Sequence, residues 1–585
     1  MLDSSSLDTT IEQRKRTAAA TCAVLLAMWI CLFSHLGALG LTGPDEPRYA
    51  WIARAMAQTG DWATPRLYGN PWFEKPVLYY WAAGVAFLAH ISDEWAARLP
   101  SAIAALAAAL CIAWLGWRFA DSDADEASGA PRFSPWSTAL LAPLIFSTSV
   151  AAVAFARAAT PDMLFAACLT LAMAAAACIL RDHGALRRGS GANFANTTAA
   201  RRALALLLFG AFAGLSVLAK GPAGIILAGG AVAIWALATK RWAAALRLLH
   251  PYAIAACLVV ALPWYVLCAL RNPDFFRVFI LQHNFDRFLT PMFHHRQPFW
   301  FFIPIILLAI LPWAVFLIPA ARDGLRIWRQ NAWRDSPGFF FACWALFPVL
   351  FFSFSESKLP GYVLPSIPPL ALVLAISIAR PVEKTTYGNT GIFALFGLTW
   401  IGLGVAGLVW PLHFAGTHAS ITGMNSQAPN PSLAISTPLL AGACLAAAAG
   451  IAILFLAKSR RRAVIWTSLI LSCVLIEMAG TAVLPGLDSR LSARSVGTML
   501  RRDLRPDRLF TYRLSRSWDY GLTFYLGKEL QEWSFAHPQA GLVLTTPEGF
   551  AEIKRGGYFH GFLNEPYQGI VFVPVPVQPP PAERR

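Results

Sequence analysis

The chain has 585 residues, of which 57% are apolar and only 14% are charged. Soluble domains carry about 25% charged residues, so this composition excludes a soluble globular protein and indicates that lipid surrounds most of the chain. The net charge of +16 does not indicate nucleic-acid binding, because the basic residues form short clusters between apolar runs and not one contiguous stripe. Such clusters are typical of the cytoplasmic loops of a membrane protein.

The apolar runs predict about thirteen membrane-spanning helices. The first, from Thr17 to Leu41, follows a basic cluster at residues 14–16, which places the N-terminus in the cytoplasm. A second run, from Val77 to Ile91, is short for a span and directly follows a proline. The other basic loops alternate correctly only if this run is a re-entrant or interfacial helix. The expected fold class is an α-helical polytopic membrane protein.

An odd number of spans places everything after Pro485 outside the cytoplasm. This tail contains one segment with helical spacing and three short strand-like segments, namely Ser492–Leu504, Leu509–Arg513, Leu542–Thr546 and Gly569–Val573. We therefore expect a transmembrane domain over residues 1–485 and a small α/β domain over 486–585. An external loop over 42–96, with an interfacial and a re-entrant helix, belongs to the first of these domains.

The loop after the first span holds the strongest candidates for chemistry, because loops of this length are uncommon without a function. Asp45 precedes Pro47 in a helix-start signal, and the helix that follows is expected to lie flat on the bilayer. Glu74 and Lys75 stand at the mouth of the re-entrant segment. The structural alternative is that Asp45 only caps its helix and that Lys75 only anchors the chain at the interface.

Other candidate charges lie at the ends of apolar runs and not in their middles. Asp162 and Lys220 each have a structural alternative, as a helix cap and as a snorkelling side chain. A polar interruption, SESKLPGY, carries Glu356 and Lys358. A transporter or flippase would place ionisable groups near the bilayer midplane on broken helices, so these positions favour chemistry over transport. A mere membrane anchor for the tail leaves the long first loop unexplained.

Five segments of the sequence carry a resemblance to a known family. They are, in chain order, GPDEPRYAWIARAM, WFEKPVLYYW, LAKGP, HRQPFWFF and SKLPGYVLPSIPPLALV. Together they resemble the bacterial aminoarabinose transferases, which are polyprenyl-phosphate-dependent glycosyltransferases of the GT-C fold related to protein O-mannosyltransferases. The match runs over most of the membrane domain, whereas the tail matches in position and kind only.

The resemblance implies an enzyme that transfers 4-amino-4-deoxy-L-arabinose from undecaprenyl phosphate to a phosphate of lipid A at the periplasmic face of the bacterial inner membrane. It implies catalytic roles for Asp45 and Asp162. Residues expected to bind the donor phosphate are Arg48, Tyr49, Lys75, Tyr79 and Lys220. Residues expected to bind the acceptor or line the cavity are Glu46, Arg66, His283, Arg287, Arg296, Glu356, Lys358 and Tyr362.

The chemistry of such a donor agrees with these residue types. Its leaving group is a phosphate, so catalysis requires stabilisation of the charge that develops there, which Arg48 and Lys75 can supply. A phosphate acceptor is already ionised, so Asp45 would orient substrate or pair with the sugar ammonium, and would act as a base only for a hydroxyl acceptor. No cofactor is required, and Glu74 is a candidate ligand for a divalent metal. Alternatives are transfer of another polyprenyl-linked sugar to lipid or protein, and a lipid-linked sugar flippase.

Overall fold

The computed structural model describes residues 4–120, 137–182, 185–186, 198–279, 282, 297–379, 386–418, 431–456, 461–504, 508–559 and 569–576. The chain forms two compact units. The larger, here termed the helical unit, comprises Met1–Ser34, Trp72–Tyr79 and Leu99–Ala479. The smaller, the loop–tail unit, comprises His35–Pro71, Tyr80–Arg98 and Gly480–Arg585. The tail thus begins near the expected boundary at residue 485, but most of the first external loop joins it in one unit.

Helices dominate the described residues. In chain order they are α1 (Ser4–Phe33), α2 (Asp45–Thr59), α3 (Leu78–Leu88), α4 (Asp93–Leu115), α5 (Thr138–Ser147), α6 (Val150–Ala156), α7 (Asp162–Asp182), α8 (Ala199–Lys220), α9 (Ala223–Thr239), α10 (Trp242–Ala245), α11 (Pro251–Arg271), α12 (Phe302–Ala309), α13 (Leu317–Arg329), α14 (Pro337–Ser353), α15 (Ile367–Ala379), α16 (Thr386–His418), α17 (Pro431–Leu456), α18 (Arg461–Met478), α19 (Leu484–Leu491), α20 (Arg494–Met499), α21 (Arg516–Leu526) and α22 (Pro547–Arg555). A π-helical turn, Gly116–Ala120, extends α4, and a 3-10 helix, Pro360–Ser366, precedes α15.

Eight helical segments among the described residues are long and apolar enough to cross a membrane, and two bent helix pairs could each form one more span. Four shorter apolar helices accompany them, at Thr17–Phe33, Leu78–Leu88, Ala223–Thr239 and Pro337–Ser353. The polytopic helical fold is therefore confirmed, whereas the number of thirteen spans stays a prediction. α3, expected to be re-entrant, has 11 residues and a length of about 16 Å, too short for a hydrocarbon core of about 30 Å.

Within the helical unit, α7 is the most deeply buried span, with 83% of its apolar window inside the protein. It packs against α8, which runs antiparallel to it. Because the two helices have 21 and 22 residues, the start of α7 lies beside the end of α8. This pairing places Asp162, the first residue of α7, next to Lys220, the last residue of α8.

The C-terminal part of the loop–tail unit is a small α/β domain, as predicted. Its four-stranded sheet has the order β4-β3-β5-β6, with β3 at Leu509–Tyr512, β4 at Gln531–Glu532, β5 at Gly541–Thr545 and β6 at Val571–Val575. β3 is parallel to β4 and β5, whereas β5 and β6 are antiparallel. A core that includes Phe510, Trp533, Val543, Ile553 and Val573 lies against the sheet.

The first-loop part of the same unit holds α2 and a hairpin of β1 (Arg66–Leu67) and β2 (Asn70–Pro71). α2 begins at Asp45, as the helix-start signal predicts. The face expected to enter the bilayer interface, including Tyr49, Ile52 and Met56, is buried in the protein, where α2 packs against α21. Protein contacts therefore take the place that lipid was expected to occupy on this face.

Candidate active site

In the helical unit, the buried ends of α7 and α8 carry an ion pair. Lys220 Nζ donates a hydrogen bond to Asp162 Oδ1 at 2.5 Å. The side chains of Lys220 and Asp162 are only 16% and 20% exposed. α8 ends here because Gly221 follows with a positive φ of 80°, a conformation that favours glycine. The pair is thus a charged group held at a span end and largely removed from water.

Aromatic rings surround the Lys220 ammonium. Its Nζ lies 5.6 Å from the ring centre of Phe165 and 5.3 Å from that of Tyr362, distances at which an aromatic face stabilises a cation. The segment that carries Tyr362 approaches closely because Gly361 has no side chain: a Cβ there would lie 2.8 Å from Phe155 Cζ and 3.6 Å from Asp162 Oδ1. The structure therefore brings together three residues that the sequence singled out separately: Asp162, Lys220 and Tyr362.

Glu74 and Lys75 face each other in the same unit, with 3.7 Å between Lys75 Nζ and Glu74 Oε1 and about one sixth of each side chain exposed. The charge of Lys75 also acts on Asp162, whereas Tyr79 is fully buried. Within the described ranges, no group of three or more His, Cys, Asp or Glu side chains is arranged to hold a metal ion. A metal at Glu74 stays a prediction.

The polar side chains of the SESKLPGY segment form hydrogen bonds within the segment itself. Lys358 is 7% exposed, and its Nζ donates to the carbonyl of Ser355 at 2.5 Å. Ser355 in turn donates from its Oγ to the carbonyl of Ser357 at 2.9 Å, whereas Glu356 is partly exposed. In this structure Lys358 therefore stabilises the turn that leads into the Tyr362 segment.

In the loop–tail unit, Asp45 and Arg48 form an ion pair of 2.6 Å between Asp45 Oδ1 and an Arg48 terminal nitrogen. The Asp45 side chain is 56% exposed, whereas that of Arg48 is 8% exposed. The Arg48 guanidinium lies over the rings of Tyr49 and Tyr520, at 5.0 and 5.8 Å from their centres. A carboxylate open to solvent is thus held by a guanidinium that aromatic rings fix in place.

Glu46, expected near the acceptor, forms the centre of a buried hydrogen-bond network. Its carboxylate accepts two bonds from Arg98, at 3.0 and 2.8 Å, and two more from the backbone N–H and hydroxyl of Thr42. Arg98 also donates to the carbonyls of Leu36, Leu39 and Gly40. Arg98 is not among the residues predicted from the sequence, although an arginine in the second turn of a helix that is apolar from Ser101 onward is an unusual signal.

The remaining predicted site residues lie elsewhere. Arg66 is half exposed on the β1–β2 hairpin, 3.6 Å from Asp61 and bonded to the Gly69 carbonyl. His283, Arg287 and Arg296 lie outside the described residues.

Comparisons with known proteins identify the relatives of this chain. A family model described as dolichyl-phosphate-mannose-protein mannosyltransferase matches residues 18–279. The undecaprenyl phosphate-alpha-4-amino-4-deoxy-L-arabinose arabinosyl transferase of Edwardsiella ictaluri is 31% identical over 367 residues, which cover 62% of this chain and 60% of the relative. The enzyme of the same description from Yersinia enterocolitica is 31% identical over 401 residues, which cover 67% and 66%.

A crystal structure of ArnT from Cupriavidus metallidurans bound to undecaprenyl phosphate has the same fold. Its TM-score is 0.72 at 21% identity, and the match covers 95% of this chain and 98% of that one. The resemblance to the aminoarabinose transferases is confirmed. The chain is a relative of these glycosyltransferases and shares their GT-C fold, although it spans only about 60 to 66% of the length of these curated relatives.

The family model matches a part of the chain that contains most of the candidate residues but not all of them. Asp45, Lys75, Asp162 and Lys220 lie within the residues that match the mannosyltransferase family model, whereas Glu356 lies beyond them. The roles expected for these residues stay predictions.

Proposed function

We propose that the chain transfers 4-amino-4-deoxy-L-arabinose from undecaprenyl phosphate to a phosphate of lipid A. The proposal is supported by the relatives described as arabinosyl transferases of this sugar. The structural observation that carries it is the Asp162–Lys220 pair, a buried charged group between aromatic rings at a span end. We place this reaction at the periplasmic face of the bacterial inner membrane, with the N-terminus in the cytoplasm and the tail domain in the periplasm.

In the proposed reaction, the bond between the anomeric carbon and the undecaprenyl phosphate oxygen breaks, and a bond from that carbon to an acceptor phosphate oxygen forms. The leaving phosphate gains negative charge as its bond breaks. Lys220 is suited to stabilise this charge, since an ammonium in a water-poor site interacts strongly with a developing anion. Its partner Asp162 keeps the ammonium at a fixed position between the rings of Phe165 and Tyr362.

The exposed carboxylate of Asp45 is suited to a different task. A carboxylate open to solvent can pair with the ammonium group of the sugar or orient a substrate hydroxyl. Arg48 holds Asp45 from the buried side, and its planar guanidinium is a good partner for phosphate oxygens. Within the loop–tail unit, Arg48 is therefore the proposed phosphate partner, with Tyr49 next to it in the sequence. Within the helical unit, Lys75 is a proposed phosphate partner, with Tyr79 four residues further along the chain.

Mass spectrometry of lipid A tests the proposal. Cells that express the chain are expected to carry aminoarabinose on lipid A, and cells without it are not. Asp162→Asn, Lys220→Met, Asp45→Asn and Lys75→Ala are each expected to abolish the modification while the protein still accumulates in the membrane. Lys240→Gln is a matched control, because Lys240 is exposed and lies at the opposite end of α9 from Gly221. Unmodified lipid A in cells that express the wild-type chain would contradict the proposal.

A second candidate is transfer of another polyprenyl-linked sugar to protein, which the match to a protein mannosyltransferase family model favours. In that case lipid A would be unchanged, and glycoproteomics of the same membranes would find a protein-linked sugar that depends on the chain. A flippase is less consistent with the described charges, because Asp162 and Lys220 lie at span ends and not at the bilayer midplane.

A further inference from the structure

A second feature of the helical unit lies away from the candidate active site. It is a cavity of about 550 Å³ between α4, α7 and α8, within the range of roughly 300–1,000 Å³ that is typical of ligand pockets. Twelve of its sixteen lining residues are apolar. The four charged ones are Arg118, Arg181, Asp182 and Arg201.

The charged residues all lie at one end of the cavity. α7 runs from Asp162 to Asp182 over 21 residues, about 30 Å, so this end faces the membrane surface opposite the Asp162–Lys220 pair. The apolar lining reaches back from it to Ala107 on α4, Leu171 on α7 and Phe212 on α8. These residues are ten or eleven positions from the arginine on the same helix, or about 15 to 17 Å. The cavity therefore extends through about half of a hydrocarbon core of about 30 Å, the depth of one leaflet.

Among the described residues, three cations and one anion line the mouth of the cavity. Three guanidinium groups and one carboxylate meet there, and Arg118 interacts electrostatically with Arg181, Arg201 and Asp182. Arg181 lies over the ring of Phe119 at 5.3 Å and 3.9 Å from Asp182. Several guanidinium donors therefore lie together at one end of an apolar cavity.

We propose that this cavity binds an anionic phospholipid of the adjoining leaflet. Its phosphate would lie against Arg118 and Arg201, because arginine presents a planar fork to phosphate oxygens. One acyl chain would follow the apolar wall, which opens sideways where Leu110, Leu204 and Leu208 are exposed. A soluble anion would leave this one-leaflet apolar channel unfilled, so the shape of the cavity favours a lipid.

Native mass spectrometry of the full-length chain tests the proposal. The protein is reconstituted in bilayers of equal phosphatidylglycerol and phosphatidylcholine and then extracted, and the retained lipid is measured. We expect phosphatidylglycerol to be retained in preference. Arg118→Gln and Arg201→Gln are each expected to weaken its retention about fivefold. Arg202→Gln is the matched control, because Arg202 is exposed, adjacent to Arg201 and absent from the cavity lining.

A second variant separates the cavity from surface charge. Ala175→Trp places a large side chain in the lining without changing any charge, and we expect it to reduce phosphatidylglycerol retention as strongly as the arginine variants. Four outcomes would overturn the proposal: equal retention of the two lipids by the wild type, equal effects of Arg201→Gln and Arg202→Gln, unchanged retention in Ala175→Trp, or binding of inorganic phosphate alone with no preference for the lipid. None of these readouts depends on the proposed transferase activity.

Discussion

Asp162 and Lys220 are a pair whose structural and chemical contributions can be separated. Because both side chains are largely buried, Lys220→Met leaves a carboxylate without its closest partner, which costs about 3–5 kcal/mol in comparable pairs. We expect this variant to lower the melting temperature of the detergent-solubilised chain. The double variant Asp162→Asn/Lys220→Met removes both charges and is expected to recover most of the stability but none of the lipid A modification.

The double variant is the decisive measurement for this pair. If it restores lipid A modification together with stability, the pair is only a structural ion pair and the proposed stabilisation of the leaving phosphate by Lys220 is wrong. A thermal shift assay and lipid A mass spectrometry on the same preparations give the two readouts.

Asp519 is expected to make the stability of the tail domain depend on pH. It accepts a hydrogen bond from Tyr68 Oη at 2.9 Å, and burial raises its pKa above the ordinary value of 3.8. A carboxyl whose pKa is raised by folding binds more protons in the folded state than in the unfolded state. Its contribution to stability is therefore fully present at low pH and is lost as the pH rises through the raised pKa.

We expect the Asp519→Asn variant to lack this loss of stability at rising pH, because an asparagine side chain does not titrate. Hydrogen exchange in residues 508–526, followed from about pH 4 to pH 8 and corrected for the intrinsic exchange rate, measures it. The wild type should lose protection relative to the variant as the pH rises. Glu548→Gln, at an exposed position in the first turn of α22, is the control and should follow the wild type. Parallel pH profiles for Asp519→Asn and the wild type would contradict the expectation.

At the level of elements, Arg98 fixes the turn that leads into α2. It joins the carbonyls of Leu36, Leu39 and Gly40 to the carboxylate of Glu46. One side chain of α4 therefore contributes several of the hydrogen bonds that hold the segment before Asp45, beside those from the tail. Arg98→Met leaves Glu46 buried without its cation, and a cost of about 3–5 kcal/mol is typical. We expect faster hydrogen exchange in residues 36–46 and reduced lipid A modification. Arg98→Lys keeps the charge but not the planar guanidinium, so its exchange rate should lie between those of the wild type and Arg98→Met. An unchanged exchange rate in Arg98→Met would show that the turn is stable without this side chain.

The sequence predicts where helices and strands begin and end better than it predicts which surface packs against them. The start of α2 at Asp45, the shortness of α3 and three strands of the tail sheet follow from local signals. The partner of the apolar face of α2 does not, because α21 lies more than 450 residues further along the chain. A local pattern shows that a face is apolar and gives no information on whether lipid or protein contacts it.

In the candidate site, too, the sequence indicates the individual residues but not the contacts between them. Asp162, Lys220 and Tyr362 each stand out in the sequence as polar or aromatic residues at the ends of apolar runs. Their meeting follows from the packing of α7 against α8 and of the Pro360–Ser366 turn beside them, which no spacing rule gives. Arg98 could not be predicted as part of this network either, because its main partner, Glu46, is 52 residues away in the sequence.

At the scale of the whole molecule, the arrangement in the membrane is the main prediction still to be tested. The eight long helices, the two bent pairs and three of the four shorter apolar helices would together give thirteen spans, with α3 left over. A reporter enzyme that is active only in the periplasm should be silent when fused after Arg462 and active when fused at the C-terminus. Activity after Arg462, or silence at the C-terminus, would contradict the thirteen-span arrangement.

The union of the first loop with the tail has a consequence for biogenesis. The backbone of Gly40 and Leu41 bonds to Asp488 and Tyr525, and Tyr68 bonds to Asp519, across about 450 residues of sequence. At roughly 5–20 residues per second, a ribosome needs about 20 to 90 s to make the intervening chain. During that time the first loop has been made but its partner in the tail has not, so we expect the segments that the tail later covers to be open to proteolysis until synthesis ends.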